Sequence, residues 1–349
     1  MPLKNKTKQI LLTFDFELFL GSKSGSVDNC LIKPTIELMK VVNKYKLSTV
    51  FFVDTLYLYR LKEVSKTNRN AYSDYEKIID LLKHIIDSGS YIFHHLHPHW
   101  LDANYLSENN EWDISNKSRF ALNNLPEEEV ELVFNYSNII ITEIYSGKTI
   151  PPFSGFRAGG LYAQPFSKYK NQMKKHNIRL DFSVLKNSKS NTDLYGFDYS
   201  IFPSENIYKF SEDLLVKDDK GNFIECAMNQ FKVSGLTKII NGLYYRSNIK
   251  KELWKRWGDG NALGNQVKSS AKTNKFSNSE TFSIEMLNKY KAQLYVNYIK
   301  KEDFLHLISH PKLFSANNLK SFEYFIEKTI SKYKIETDLF KILHNHNVI

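Results

Sequence analysis

From residue 9 to residue 184 the sequence alternates between short apolar, β-prone runs and longer amphipathic segments. "QILLTFDF" (9–16) reads as a buried strand. "LIKPTIELMKVVNKYK" (31–46), with Pro34 near its start, reads as a helix. "LSTVFFVDT" (47–55) is a second strand, and "DYEKIIDLLKHIIDSG" (74–89) is an amphipathic helix stopped by Gly89. "SYIFHH" (90–95) is a third strand. "LPEEEVELVFNYSNIIITEIYSG" (125–147) is a helix with acids in its first turn. "FSGFRAGG" (153–160) reads as a strand into a loop, and "QMKKHNIRLDFSV" (172–184) as helix then strand. Such repetition predicts an α/β fold with a parallel sheet, open or rolled into a (β/α) barrel. In either form, chemistry-bearing side chains gather at the C-terminal ends of the strands.

The alternation resumes near the C-terminus. A helix is expected over 283–302, a strand over "FLHLISH" (304–310) and a last helix over 318–333. Residues 186–280, rich in Lys, Asn, Ser and Gly, read as an irregular insertion decorating one domain that spans 1–349. Hydrophobic residues make up 42% of the chain, enough for a sizeable core. The formal charge of +10 reads as a Lys-rich solvated surface. Its densest runs, "NIKKELWKRW" (248–257) and "KSSAKTNK" (268–275), sit in no nucleic-acid-binding motif, so no such partner is expected. Cys30 and Cys226 form neither a disulfide framework nor a CxxC metal site. Asp15 and Glu17 break the first apolar run short of the ~7–15 residues a signal peptide needs. No run of ~18 apolar residues follows. A cytoplasmic protein, with membrane contact at most peripheral, is expected. "YSGKT" (145–149) lacks the first glycine of a phosphate-binding loop, since Thr142 stands there.

Three strand ends carry polar residues. Asp15 and Glu17 are two apart, so both can face one pocket. In "YIFHHLHPHW" (91–100) four histidines fall within six positions. Pro98 cannot sit inside a helix and biases His97 toward extended backbone. His95 and His97 then share a face, with His94 opposite and pointing into the barrel wall. His99, four after His95, returns to the same side on a strand or a helix. Neutral imidazole is a common ligand of zinc and related ions, so this run reads as a metal site. Arg157, beside two glycines, is a candidate fork for a buried carboxylate. His310 ends the late strand.

Taken in order, "LLTFDFE", "STVFFV", "HLHPHW", "GFRAGGLYAQP", "LDFSV" and "LISHP" resemble the polysaccharide deacetylases, the NodB-homology domains of carbohydrate esterase family 4. The resemblance spans roughly 9–187 and 303–343, and more loosely 190–302. It implies a distorted (β/α) barrel of about seven parallel strands. It implies that Asp15 is the general base, Arg157 the residue that orients it, and His310 the acid. Pro165 matches the proline of the arginine motif. In the family's first motif the second acid binds metal. Phe16 stands there, and Glu17 takes that role in the register some relatives use. The histidine pair four apart matches His95 and His99. A three-histidine shell from His95, His97 and His99 without Glu17 stays open, as does a second-sphere place for His97.

By this resemblance the chain is a hydrolase that removes the N-acetyl group from an N-acetylated amino sugar. It would use one divalent metal, Zn first, with Co, Mn, Fe or Ni as alternatives. The partner would be an N-acetylated sugar or sugar-linked precursor, with Trp100 and Tyr162 as sugar-stacking candidates. Two rivals stand beside this reading. A glycosidase of the related barrel type needs two carboxylates roughly 5–9.5 Å apart. A carbohydrate-binding protein without catalysis could use the same fold.

Overall fold

The computed structural model describes residues 7–191, 196–247, 251–262 and 279–349. Strand β1 (Thr7–Phe16) is buried from Ile10 to Phe16 because it is covered on both faces, as its unbroken apolar run requires. It lies beside β2 (Val50–Asp54), which pairs with β3 (Tyr91–Leu96), then β4 (Ser154–Ala158) and β5 (Ile178–Asp181). Outside β5 come β7 (Phe223–Cys226) and the antiparallel β6 (Ile207–Phe210). On the other flank of β1 runs β8 (Phe304–Ser309). Seven strands, β7-β5-β4-β3-β2-β1-β8, are parallel. A short β9 (Lys334–Glu336) also pairs with β1. The expected distorted barrel is what forms. No ladder joins β7 to β8 among the described residues. The Asn229 amide bridges that seam instead: its Oδ1 accepts from His306 N (2.9 Å) and its Nδ2 donates to Phe304 O (3.4 Å).

Side chains alternate along each strand. Leu11, Phe52, Phe93, Leu180, Ile224 and Phe304 fill the barrel, and Leu339, Ile342 and Leu343 of a short helix pack against them. Ile10, Leu12, Phe51, Val53 and Ile92 face the helical layer. Gly155 in β4 is needed for this filling, because a Cβ there would come within 2.5 Å of the Phe93 ring. The outer layer comprises α1 (Lys33–Lys44), α2 (Thr55–Ser65), α3 (Arg69–Asp87), α4 (Glu127–Ile144) and α5 (Lys170–Lys175). It continues with α6 (Gly235–Ser247), α7 (Lys289–Lys301) and α8 (Ala316–Ile330), while α9 (Leu339–Asn345) is the short helix packed against the barrel filling.

Three expectations change. Helix α2 is absent from the sequence reading: Asp54 ends β2 and caps α2 by accepting from Tyr57 N (3.4 Å). The helix expected over 283–302 starts only at Lys289, where Asn288 accepts from Lys291 N (2.8 Å). Ser283–Leu287 is left outside the helix, which matters at the site below. The region 186–280 is only partly decoration, since β6 and β7 belong to the main sheet. The basic run 268–275 lies outside the described residues, and 248–257 is described from 251 onward.

Candidate active site

Residues that point into the barrel near the C-terminal ends of β1, β3, β4 and β8 meet at one mouth. Asp15 and Glu17 come from β1 and its continuation. Beyond β3, extended backbone keeps His97 on the side of His95. Gly159 makes room for it, because a Cβ there would lie 2.7 Å from His97 Nδ1.

Glu17 Oε2, His95 Nε2 and His97 Nε2 form a closed triangle. Its edges are 2.7 Å (Glu17–His97), 3.4 Å (Glu17–His95) and 3.1 Å (His95–His97). All three residues are buried, and Glu17 Oε2 accepts no well-aligned hydrogen bond. Ligand atoms about 2.0–2.1 Å from a tetrahedral zinc ion would stand about 3.3 Å apart. The donor set and the spacing fit a divalent cation. The outer atoms are held as well: His95 Nδ1 lies 2.9 Å from Arg157 O, and Glu17 Oε1 accepts from Lys312 Nζ (2.8 Å). His95 thus donates its Nδ1 proton to a carbonyl and turns Nε2 inward, the usual orientation of a ligating histidine.

His99 is not brought into this cluster. Pro98 opens a 3-10 turn (Pro98–Asp102), which ends the strand periodicity and turns residue 99 aside. Its ring stacks on Phe120 (centroids 5.5 Å apart, 12° between planes), and both its nitrogens lack hydrogen-bond partners among the described residues. Burial holds its pKa well below the usual imidazole value, so it is neutral. The spacing of four between His95 and His99 assumed one uniform element, whereas a strand gives way to a turn between them. His94 faces outward as expected. Its Nδ1 lies 2.7 Å from Ser137 Oγ on α4, and burial lowers its pKa to about 3.

Asp15 is 4% exposed, and its Oδ1 is held by Arg157 Nη1. Arg157 is fully buried. Its Nη2 donates to Thr13 Oγ1 (2.8 Å), its Nε donates to Phe182 O (3.1 Å), and its guanidinium lies 4.1 Å from the Phe52 ring centre. Burial by itself would raise the Asp15 pKa, but Arg157, followed by His95 and His310, outweighs it and holds the carboxylate ionised. Burial likewise opposes Glu17 ionisation. Lys312 and then His97 more than offset it, so its pKa falls well below the ordinary value.

His310 stands across the mouth. Its Nε2 lies 3.5 Å from Asp15 Oδ2 and 3.8 Å from Glu17 Oε1, and its Nδ1 lies 3.1 Å from Glu285 Oε1. Burial would lower its pKa, but the Glu285 hydrogen bond and the charge of Asp15 raise it. Its side chain is 28% exposed, so solvent and ligands reach it.

Of the two stacking candidates, Trp100 offers no face. It is fully buried, packs on Tyr57 (4.9 Å) and donates its indole N–H to Asp54 Oδ2 (2.5 Å). Tyr162 is buried at 8% exposure beside Phe197 (5.5 Å). Sequence reasoning missed Lys312 and Glu285. Lys312 lies in the 3-10 turn Pro311–Leu313 that follows His310, so no strand periodicity marked it. Glu285 was masked by the helix expected over it.

No family description matches this sequence, and no curated protein is similar to it. Several solved structures are similar in shape. A Mycobacterium smegmatis protein described as a polysaccharide deacetylase matches at TM-score 0.48 and 10% identity, over 99% of this chain and 91% of that one. A family 4 acetyl xylan esterase from Clostridium thermocellum, in complex with a cobalt ion, matches at 0.41 and 13%, over 98% and 93%. A peptidoglycan deacetylase from Bacillus subtilis gives the same values.

Proposed function

We propose that this site is the metal-dependent hydrolytic centre of a carbohydrate N-deacetylase, which releases acetate from an N-acetylated amino sugar. One observation carries the reading: a Glu-His-His triangle sits beside an arginine-held aspartate and a solvent-reachable histidine at one barrel mouth. The order of motifs resembling the polysaccharide deacetylases supports it. Two histidines and one carboxylate leave coordination positions open, as catalytic rather than structural sites do. Zinc is the ion proposed. The substrate proposed is a cytoplasmic precursor in polysaccharide or glycoconjugate biosynthesis.

Glu17, His95 and His97 would hold the ion, which when bound lowers the pKa of a water and polarises the amide carbonyl. Asp15 takes the proton of the attacking water at Oδ2, because Oδ1 is engaged by Arg157. Arg157 keeps that carboxylate ionised and aimed. His310, its Nδ1 turned to Glu285, donates from Nε2 to the departing amine; without that proton the amine is a poor leaving group. Glu285 positions His310 and favours its charged form. Asp15 and Glu17 both have lowered pKa values, which suits neither as the protonated acid that a glycosidase needs.

The test pairs metal analysis of the purified protein with product assays on N-acetylglucosamine oligosaccharides. Acetate release without new reducing ends, dependent on zinc, cobalt or manganese, is expected. Reducing ends without acetate would assign a glycosidase, and a protein that binds no metal and releases no acetate would overturn the reading.

A further inference from the structure

We propose that Lys312 is a positioning residue that makes Glu17 a single-oxygen metal ligand, an inference that rests on the metal-dependent reading above. Glu17 lies one residue beyond the end of β1, so no strand ladder fixes it. Lys312 Nζ does so instead. It donates to Glu17 Oε1 (2.8 Å) and to the carbonyl of the next residue, Leu18 O (2.7 Å). Side chain and backbone are thus tied to one ammonium by charge-assisted bonds. The ammonium is itself held. Lys312 is 7% exposed, and its Nζ lies 5.2 Å from the Phe19 ring centre. It sits in the 3-10 turn Pro311–Leu313, where Leu313 N donates back to His310 O (2.9 Å). Gly258 packs so closely on this turn that a Cβ there would lie 2.2 Å from Lys312 O.

The two oxygens of Glu17 consequently differ. Oε1 is engaged by Lys312, whereas Oε2 accepts no well-aligned hydrogen bond and stands 2.7 Å from His97 Nε2 and 3.4 Å from His95 Nε2. A carboxylate can ligate through one oxygen or through both. Binding through both would draw Oε1 off the ammonium. A buried cation would then be short of its counter-ion, which is costly where water cannot replace it. The geometry therefore favours one oxygen. Two histidine nitrogens and one oxygen make three ligand atoms, and the positions left suit a water and a substrate carbonyl. A second oxygen would fill one of them. Lys312 thereby keeps a coordination position open, and the turn that carries it starts from His310, the proposed acid.

Cobalt(II) substitution of the full-length protein tests the proposal, because the visible d–d bands of the ion report its coordination number. Lys312→Met keeps an apolar stem over Phe19 and removes the donor. Freed of the ammonium, Glu17 is expected to bind through both oxygens, so the bands should weaken at least ~2-fold and move to shorter wavelength as the coordination number rises. Bands equal to or stronger than those of the wild type would overturn the role of Lys312 and leave the metal centre intact. No cobalt uptake by the wild type would overturn the metal-dependent reading and this inference with it. If Lys312→Met does not fold, a crystal structure of the zinc-loaded wild type decides. Glu17 Oε2 alone within about 2.0–2.2 Å of the ion, with Oε1 still on Lys312, is expected, and both oxygens on the ion would overturn the proposal.

Discussion

Replacing Arg157 with methionine tests the site's electrostatic logic through stability as well as activity. The guanidinium is fully buried and serves Asp15, Thr13 and the Phe182 carbonyl at once. Methionine fills much of the same volume over Phe52 but leaves Asp15 as a 4% exposed charge without its cation. Breaking a buried pair by removing one partner costs about 3–5 kcal/mol. Burial is the largest influence on the Asp15 pKa and raises it, so in the variant the carboxyl becomes protonated at higher pH. Part of the stability loss is then recovered by proton uptake, and the base is lost with it. Urea unfolding of the wild type, Arg157→Met, Asp15→Asn and the double variant should give a cycle with more than ~1 kcal/mol of coupling. The acid limb of the activity profile should move to higher pH in Arg157→Met. Additivity within ~0.5 kcal/mol, with an unmoved acid limb, would refute the claim that Arg157 acts through Asp15.

Two further outcomes follow from the ionisation pattern. Glu285→Gln keeps a hydrogen-bond acceptor for His310 but removes the charge that raises its pKa, so the basic limb of activity should shift to lower pH while KM stays unchanged; an unmoved limb contradicts the role given to Glu285. His94 and His306 are buried with pKa values lowered to about 3, so folding favours their neutral forms. Their contribution is complete above the unfolded value of about 6.5 and is lost as pH falls toward 3. At pH 5 each should cost roughly 2 kcal/mol, and thermal unfolding should show a steep fall in Tm from pH 7 to pH 5, whereas a flat Tm would contradict their neutral burial.

Strand–helix periodicity carried most of the fold, because a parallel strand must be apolar on both faces and "QILLTFDF" and "STVFFV" leave no other reading. Asn229 was invisible because its role, a side chain substituting for a ladder, leaves no pattern in sequence. Helix α2 was hidden because "TLYLYRLKEVS" is aromatic and follows a strand without a break; only the cap by Asp54 separates the two. At the site, Asp15, Glu17 and His95 could be read from period-2 spacing at strand ends, and Arg157 from the glycines beside it. The same rule put His97 and His99 alike on the side of His95, and the choice of His99 ignored the change of geometry at Pro98. Trp100 looked available because it adjoins the histidines, but its polar edge is spent on buried Asp54, whose pKa burial raises to about 6.

Metal content of matched histidine variants addresses the central claim most directly. Purified wild type, His97→Ala and His99→Ala proteins, equilibrated with zinc and freed of excess, are compared by elemental analysis alongside circular dichroism. If Glu17, His95 and His97 form the shell, His97→Ala loses the stoichiometric zinc that the wild type and His99→Ala retain. Zinc retained by a folded His97→Ala and lost from a folded His99→Ala would contradict it.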